Sequence, residues 1–216
     1  MSLAALLTIV TGAAVTALLS LSGIVIGVPL GLLLALVRWA RLSFLNAFVT
    51  VFVSLVRSTP IVTLVLFVFF VLPTLGLEVD PVPAAVATLA VNTSAFNCEI
   101  WRGALMDFPR EQRDAARAFG MTRAMTFWRI VFPQVWRRSL PALVNEMTTL
   151  LKATPAVAVI GIVEVTRAAS RIGAATYDPL PPFAVATVLY TLVVLIFVQG
   201  QRRVERHMAI KYGYQT

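Results

Sequence analysis

Arg57, Asn92 and Lys152 stand out because each lies near the middle of a stretch that is otherwise largely apolar. A charge at the centre of a bilayer costs about 2.5 to 3.5 kcal/mol on insertion scales, so such a residue marks either a binding site or a paired structural contact. As a binding group, Arg57 or Lys152 can meet a carboxylate. At about 4 Å and an effective dielectric near 20, that attraction is on the order of 4 kcal/mol before desolvation is subtracted. Asn92 can add an amide donor or acceptor, and Glu146 or Glu164 can serve a cationic group if a cavity reaches them. The structural alternative pairs Arg57 with a helix-terminal carbonyl, and Lys152 with Glu146 or with water. Pro60 and Pro155 lie three residues beyond Arg57 and Lys152, and proline frees backbone carbonyls that can line a polar cavity, which favours the binding reading.

A second set lies between Asp114 and Pro133, in the run DAARAFGMTRAMTFWRIVFP. Arg110 to Phe119 is predicted as a short helix whose exposed side includes Ala115 and Ala116. Gly120 suits a left-handed C-terminal cap, and Thr122 can cap a second helix that ends before Pro133. A helix, a turn and a helix could read DNA, dock on a partner protein or form a solvated basic loop. Enzyme chemistry has little support. A phosphate-cradling GxxxxGK[ST] loop needs glycine before its lysine, whereas Leu151 precedes Lys152 and Ile210 precedes Lys211. His207 is the one histidine and Cys98 the one cysteine, which rules out a Ser-His-Asp triad, a zinc site and an intrachain disulfide.

The elements that must hold these residues are membrane helices. Hydrophobic residues make up 59% of the chain and charged ones 13%, against roughly 45–50% and 25% in soluble domains. Leu3 to Val37 carries no charge and, at about 1.5 Å per residue, crosses a hydrocarbon core of roughly 30 Å with residues left over, so its first turns are expected along the interface. Leu42 to Leu77 is apolar but for Arg57, and Val82 to Trp101 is moderately apolar with Glu99 near its end. Ser139 to Val163 holds Glu146 and Lys152, and Pro182 to Gly200 is uncharged. The prediction is an all-α integral membrane protein of about five spans, one domain over residues 1–216. No basic segment precedes the first charge at Arg38, so a removable signal peptide is not expected. Gly23, Gly27 and Gly31 form two overlapping small-xxx-small steps for close helix packing. Glu99 and Arg102, three apart, are expected to pair at the cytoplasmic boundary.

Basic residues give the orientation. With the N-terminus outside and the C-terminus cytoplasmic, the inner segments receive Arg38 and Arg41, then the eight arginines from Arg102 to Arg138, then Arg202, Arg203, Arg206 and Lys211. That is fourteen of the 18 basic residues, while the outer segments receive only Arg167 and Arg171. The Asp114–Pro133 segment is then cytoplasmic and held against the membrane by spans on both sides, which disfavours nucleic acid. A docking element fits best, since alanines let a helix sink into a partner's cleft while flanking arginines meet acidic rims. No internal repeat is evident, so a pathway between symmetry-related halves requires a second chain.

The sequence resembles the permease subunits of ABC importers. Their cytoplasmic loop carries Glu-Ala-Ala, three residues, Gly, nine residues, Ile, two residues, Pro; here Asp114, Ala115, Ala116, Gly120, Ile130 and Pro133 occupy those places, with Asp for Glu. The likeness is greatest to the polar amino acid subgroup, the histidine, glutamine and arginine type of system. It is carried by RSTP at Arg57–Pro60, EIWRGAL at Glu99–Leu105, LPALVNEMTTLLKATP at Leu140–Pro155 and GIVEVTR at Gly161–Arg167, over most of the chain from Arg57 onward. Pro155 stands where Ser is more usual, and Ser58 replaces a common Gly. The resemblance implies that residues 109–133 form a coupling loop that docks on a separate ATPase dimer, which binds the ATP and Mg. It also implies a second permease subunit, identical or related, and an extracytoplasmic amino acid-binding protein, all at the bacterial cytoplasmic (inner) membrane. Arg57, Asn92, Lys152, Glu146 and Glu164 then become candidates for the substrate pathway. An ion-gradient-driven transporter or channel, and a membrane scaffold that recruits a cytoplasmic partner, are the readings from other classes.

Overall fold

Three glycines one helical turn apart set how the helices meet. The computed structural model describes residues 2–40 and 43–212, with positions 201 and 204–212 given by backbone alone. Its first helix, α1 (Leu3–Trp39), lies along α4 (Pro81–Met106). A Cβ on Gly23 would sit 2.8 Å from Leu89 Cβ, one on Gly27 2.0 Å from Thr93 Cγ2, and one on Gly31 2.8 Å from Asn97 Cβ. Leu89, Thr93 and Asn97 repeat every four residues as the glycines do, so two matched rows mesh with backbones in contact.

This packing explains why α4 reads as only moderately apolar. It is enclosed by α1, α2 (Ser43–Ser58), α3 (Ile61–Thr74) and α7 (Phe132–Ala153), and it buries Thr88, Asn92, Thr93, Ser94 and Asn97. Hydroxyls on such a helix need local acceptors. Thr88 Oγ1 donates to the Ala84 carbonyl and Ser94 Oγ to that of Val91, both at 2.8 Å. At one end of the bundle, Glu99 accepts from Arg102 Nε at 2.9 Å and Nη2 at 2.8 Å and also pairs with Arg38 from the last turn of α1. That cluster fixes the ends of α1 and α4 to each other.

The stretch from Leu42 to Leu77 is not one straight span. It breaks between α2 and α3 with a bend of 112°, because Pro60 disfavours helical backbone at Thr59 and cannot donate to a preceding turn. Arg57 therefore sits at the end of a helix rather than in the middle of one. The opening turns of α1 continue the helix unbroken, and Ile9 and Ala13 are buried with residues of α8 (Val165–Thr176) and α9 (Leu180–Tyr212).

Pro133 does not terminate a helix either. After α5 (Arg110–Ala118) and the single turn α6 (Arg123–Thr126), a π turn at Phe127–Val131 leads directly into α7. The Phe132 N–H reaches back five residues to the Phe127 carbonyl. This wider turn makes room for a proline ring that would strike the carbonyls of an ordinary α-helix. Beyond α7, a 3-10 segment at Thr154–Ile160 ends at Gly161 with φ +101°, and the chain bends by 54° into α8.

Among the described residues, α1 and the Leu180–Gly200 part of α9 are each long and apolar enough to cross a membrane, and counting each bent pair as one span raises the number to four. The regular elements are all helical. Arg41 lies outside the described residues, as do the side chains of Arg206, His207 and Lys211.

Candidate functional site

The polar residues Thr93 and Asn97 of α4 are positioned by the glycine row of α1 against which they pack. Because Gly27 offers no side chain, Thr93 fits between α1 and α7, and its Oγ1 donates to Glu146 Oε1 at 3.4 Å while accepting from Asn97 Nδ2 at 3.1 Å. Asn97 Oδ1 is buried without a partner among the described residues. From the other flank, the Arg57 guanidinium lies over the Phe96 ring, 5.3 Å from its centroid. A cation and a carboxylate thus approach one stretch of α4 from α2 and α7. Thr93, Phe96 and Asn97 are functional candidates that hydropathy passes over; the run VNTSAFN inside a span was the signal for them.

Asn92 shares a stripe of α4 with Phe96, one turn away, and is buried at 8% exposure. Lys152 is elsewhere. It is exposed in a cleft of about 440 Å³ shared with Pro155, Tyr190 and Thr191. The six residue steps from Glu146 to Lys152 turn the helix by roughly 240°, which sends the two side chains to different sides of α7.

Glu164 is also committed elsewhere. It is 0% exposed and caps α8, with Oε1 accepting from the Arg167 N–H at 2.7 Å and Oε2 from the Thr166 N–H at 2.9 Å and the Tyr190 hydroxyl at 2.8 Å. Three donors of the protein thus already occupy this buried carboxylate. Removing it would leave buried donors unpaired, so Glu164→Ala should destabilise the protein by about 2–3 kcal/mol. Glu164→Gln, which keeps an acceptor, should cost less. Thermal unfolding of the purified protein in nanodiscs measures both, and an unchanged melting temperature for Glu164→Ala would show that the cap carries no stability.

The loop between α4 and α7 is built from local signals. Gly120 has φ +74°, its N–H donates to the Arg117 carbonyl at 2.9 Å, and the Met121 N–H donates to the Ala116 carbonyl at 3.0 Å. Those two bonds form a Schellman closure of α5. Thr122 Oγ1 then accepts from the Met125 N–H at 3.2 Å to start α6. Asp114 and Ala115 are exposed and Phe119 is 88% exposed at the tip. Ala116, expected on the exposed side, is instead buried at 3%, and Ile130 and Pro133 are half-buried beneath the tip. Ala115 and Ala116 are adjacent and so lie about 100° apart around the helix, enough to put one outward and the other inward.

Comparison with known proteins places this architecture. Residues 27–210 match the family described as binding-protein-dependent transport system inner membrane component. The glutamine transport system permease protein GlnP of Escherichia coli (strain K12) is 34% identical over 204 residues, 94% of this chain and 93% of that one. The arginine transport system permease protein ArtQ of Bacillus subtilis (strain 168) is 34% identical over 204 residues, covering 93% and 92%. Among solved structures, an amino acid ABC transporter crystallised with histidines superposes with a TM-score of 0.85 at 30% identity, over 93% of this chain and 94% of that one.

Proposed function

The chain belongs to the family of inner membrane components of binding-protein-dependent transport systems, and on that premise we propose that it forms, with a second permease subunit, the pathway of an ATP-driven importer for a polar or charged amino acid. Five crossings fit the helices: α1, the bent pair α2 and α3, α4, α7 with α8, and α9. The N-terminus is outside and the C-terminus cytoplasmic, in keeping with the arginine distribution. The exposed tip of the Asp114–Pro133 loop docks on the ATPase dimer through Ala115 and Phe119, with Asp114 at its edge, while Ala116, Ile130 and Pro133 support it from beneath. ATP and Mg belong to that partner. An extracytoplasmic binding protein delivers the cargo.

The observation that carries the cargo class is the approach of Arg57 and Glu146 to one stretch of α4. A zwitterionic α-amino acid presents the complementary pair, a carboxylate for Arg57 and an ammonium group for Glu146, with Asn92 available to either. Lys152, in its own cleft beside α9, is a second cation along the route.

Arg57→Met and Glu146→Gln are each expected to lower uptake into vesicles by about tenfold, the equivalent of about 1.4 kcal/mol. Lys152→Met should weaken uptake as well. None of the three should alter amino acid binding by the separate binding protein or retention of the ATPase. Normal uptake rate and half-saturation in Arg57→Met and Glu146→Gln, each shown to be inserted and assembled, would remove the proposed site. Purifying the complex and identifying its subunits and bound small molecule by mass spectrometry tests the wider reading, with an amino acid expected.

A further inference from the structure

A cleft of about 510 Å³ opens where α5 and α6 fold back on the ends of α1 and α4. Among the described residues, four arginines line it, Arg110, Arg113, Arg117 and Arg123, and no carboxylate does. Arg110, Arg113 and Arg117 are three and four residues apart and share one face of α5. Among the described residues, only Arg117 of the four makes an ion pair within 4 Å, with Asp114 at 3.7 Å, and both of those side chains are largely exposed. The floor is apolar, made by Trp39 at the end of α1 and by Leu105. Met106 beside them is 52% exposed.

Like charges facing one cleft repel unless an anion lies among them, and an apolar floor suits a ligand with a hydrocarbon part. The cleft also lies where α1 and α4 leave the membrane, on the side that the positive-inside count assigns to the cytoplasm. That leaflet carries anionic lipid, which attracts arginines close to the membrane surface. Ala115 and the arginine face are on opposite sides of α5 at about 100° per residue, so the surface proposed to dock the ATPase and the surface facing the cleft are distinct.

We infer that this cleft binds the headgroup of an anionic glycerophospholipid of the cytoplasmic leaflet, its phosphate among the arginines and its acyl chains leaving past Trp39 and Met106. The lipid ties the coupling loop to the ends of α1 and α4. The inference rests on the orientation proposed above and on none of the substrate assignments.

The test uses the purified importer complex in nanodiscs of mixed phosphatidylcholine and phosphatidylglycerol, with retained lipid counted by native mass spectrometry. The unsubstituted complex should retain phosphatidylglycerol over phosphatidylcholine by about tenfold. The double variant Arg113→Gln/Arg117→Gln should lose that preference while keeping its ATPase. Equal retention of the two lipids, or an unchanged preference in the variant, would overturn the inference. So would loss of the ATPase with lipid preference intact, which would give the arginines to the protein interface. Displacement of the lipid by millimolar inorganic phosphate would point to a soluble anion and overturn it as well. A Phe119→Cys variant treated with an impermeant maleimide on intact cells separates the two levels of failure. Labelling from outside would overturn the orientation and this inference together, whereas protection combined with absent lipid preference would overturn this inference alone.

Discussion

Gly27→Leu is expected to prevent assembly of the permease. Even the first atom of a new side chain would lie 2.0 Å from Thr93 Cγ2 and 2.8 Å from the Ala90 carbonyl oxygen. The first neighbour could move only by surrendering its place between α1 and α7, and the second is backbone. Overpacking a well-packed site costs about 1–3 kcal/mol and occasionally more, and a leucine here also drives α1 off the helix around which the bundle is built. Gly27→Ala should already lower thermal stability. Gly103 supplies the contrast, since it lies in α4 with nothing within 4 Å of a new Cβ. Gly103→Ala should be neutral or stabilising by about 0.5–1 kcal/mol, because alanine is the better helix former. Unfolding temperatures and assembled yield in nanodiscs read both changes, and similar behaviour of Gly27→Leu and Gly103→Ala would show that the α1–α4 contact is not tight.

The second large effect is expected at Gly120. Its φ of +74° is left-handed, and nothing lies within 4 Å of a new Cβ, so the penalty for a side chain is in the backbone rather than in a collision. That conformation costs an ordinary residue about 1–2 kcal/mol, and a β-branched one resists it most. Gly120→Val should therefore open the Schellman closure and misalign α5 and α6 while every span stays inserted. Uptake into vesicles should fall by about tenfold or more, as expected if such a cost falls on the coupling step. Gly120→Asn should restore much of it, because asparagine tolerates the left-handed region. Full uptake with normal ATPase retention in Gly120→Val would show that the loop does not couple.

What was legible in the sequence was what neighbouring residues decide. Gly120 and Thr122 act over one turn of chain, and the Gly23, Gly27 and Gly31 row acts through a fixed helical repeat, so both could be read without coordinates. Pro60 was visible too, yet averaging hydropathy across Leu42 to Leu77 hid the corner that it makes. Pro133 misled in the opposite direction, since the π turn at Phe127–Val131 carries the helix past it into α7. The polar site needed three dimensions. Gly27 and Gly31 let α1 close onto Thr93 and Asn97, and from that packed position Thr93 also reaches Glu146 on α7. Lys152 and Glu146 are close in sequence and diverge around the helix. Glu164 looked like a membrane carboxylate available for cargo, but its place just before α8 makes it a cap.

If this chain couples the ATP hydrolysis of a partner to amino acid import, the ATPase rate of the complex in a lipid bilayer must respond as amino acid-loaded binding protein is added. The expected result is co-purification of an ATPase subunit whose rate rises several-fold with loaded binding protein, as coupling of this kind requires, and a rise that Gly120→Val abolishes. An ATPase that fails to co-purify, or one whose rate is the same with and without the loaded binding protein, would contradict it.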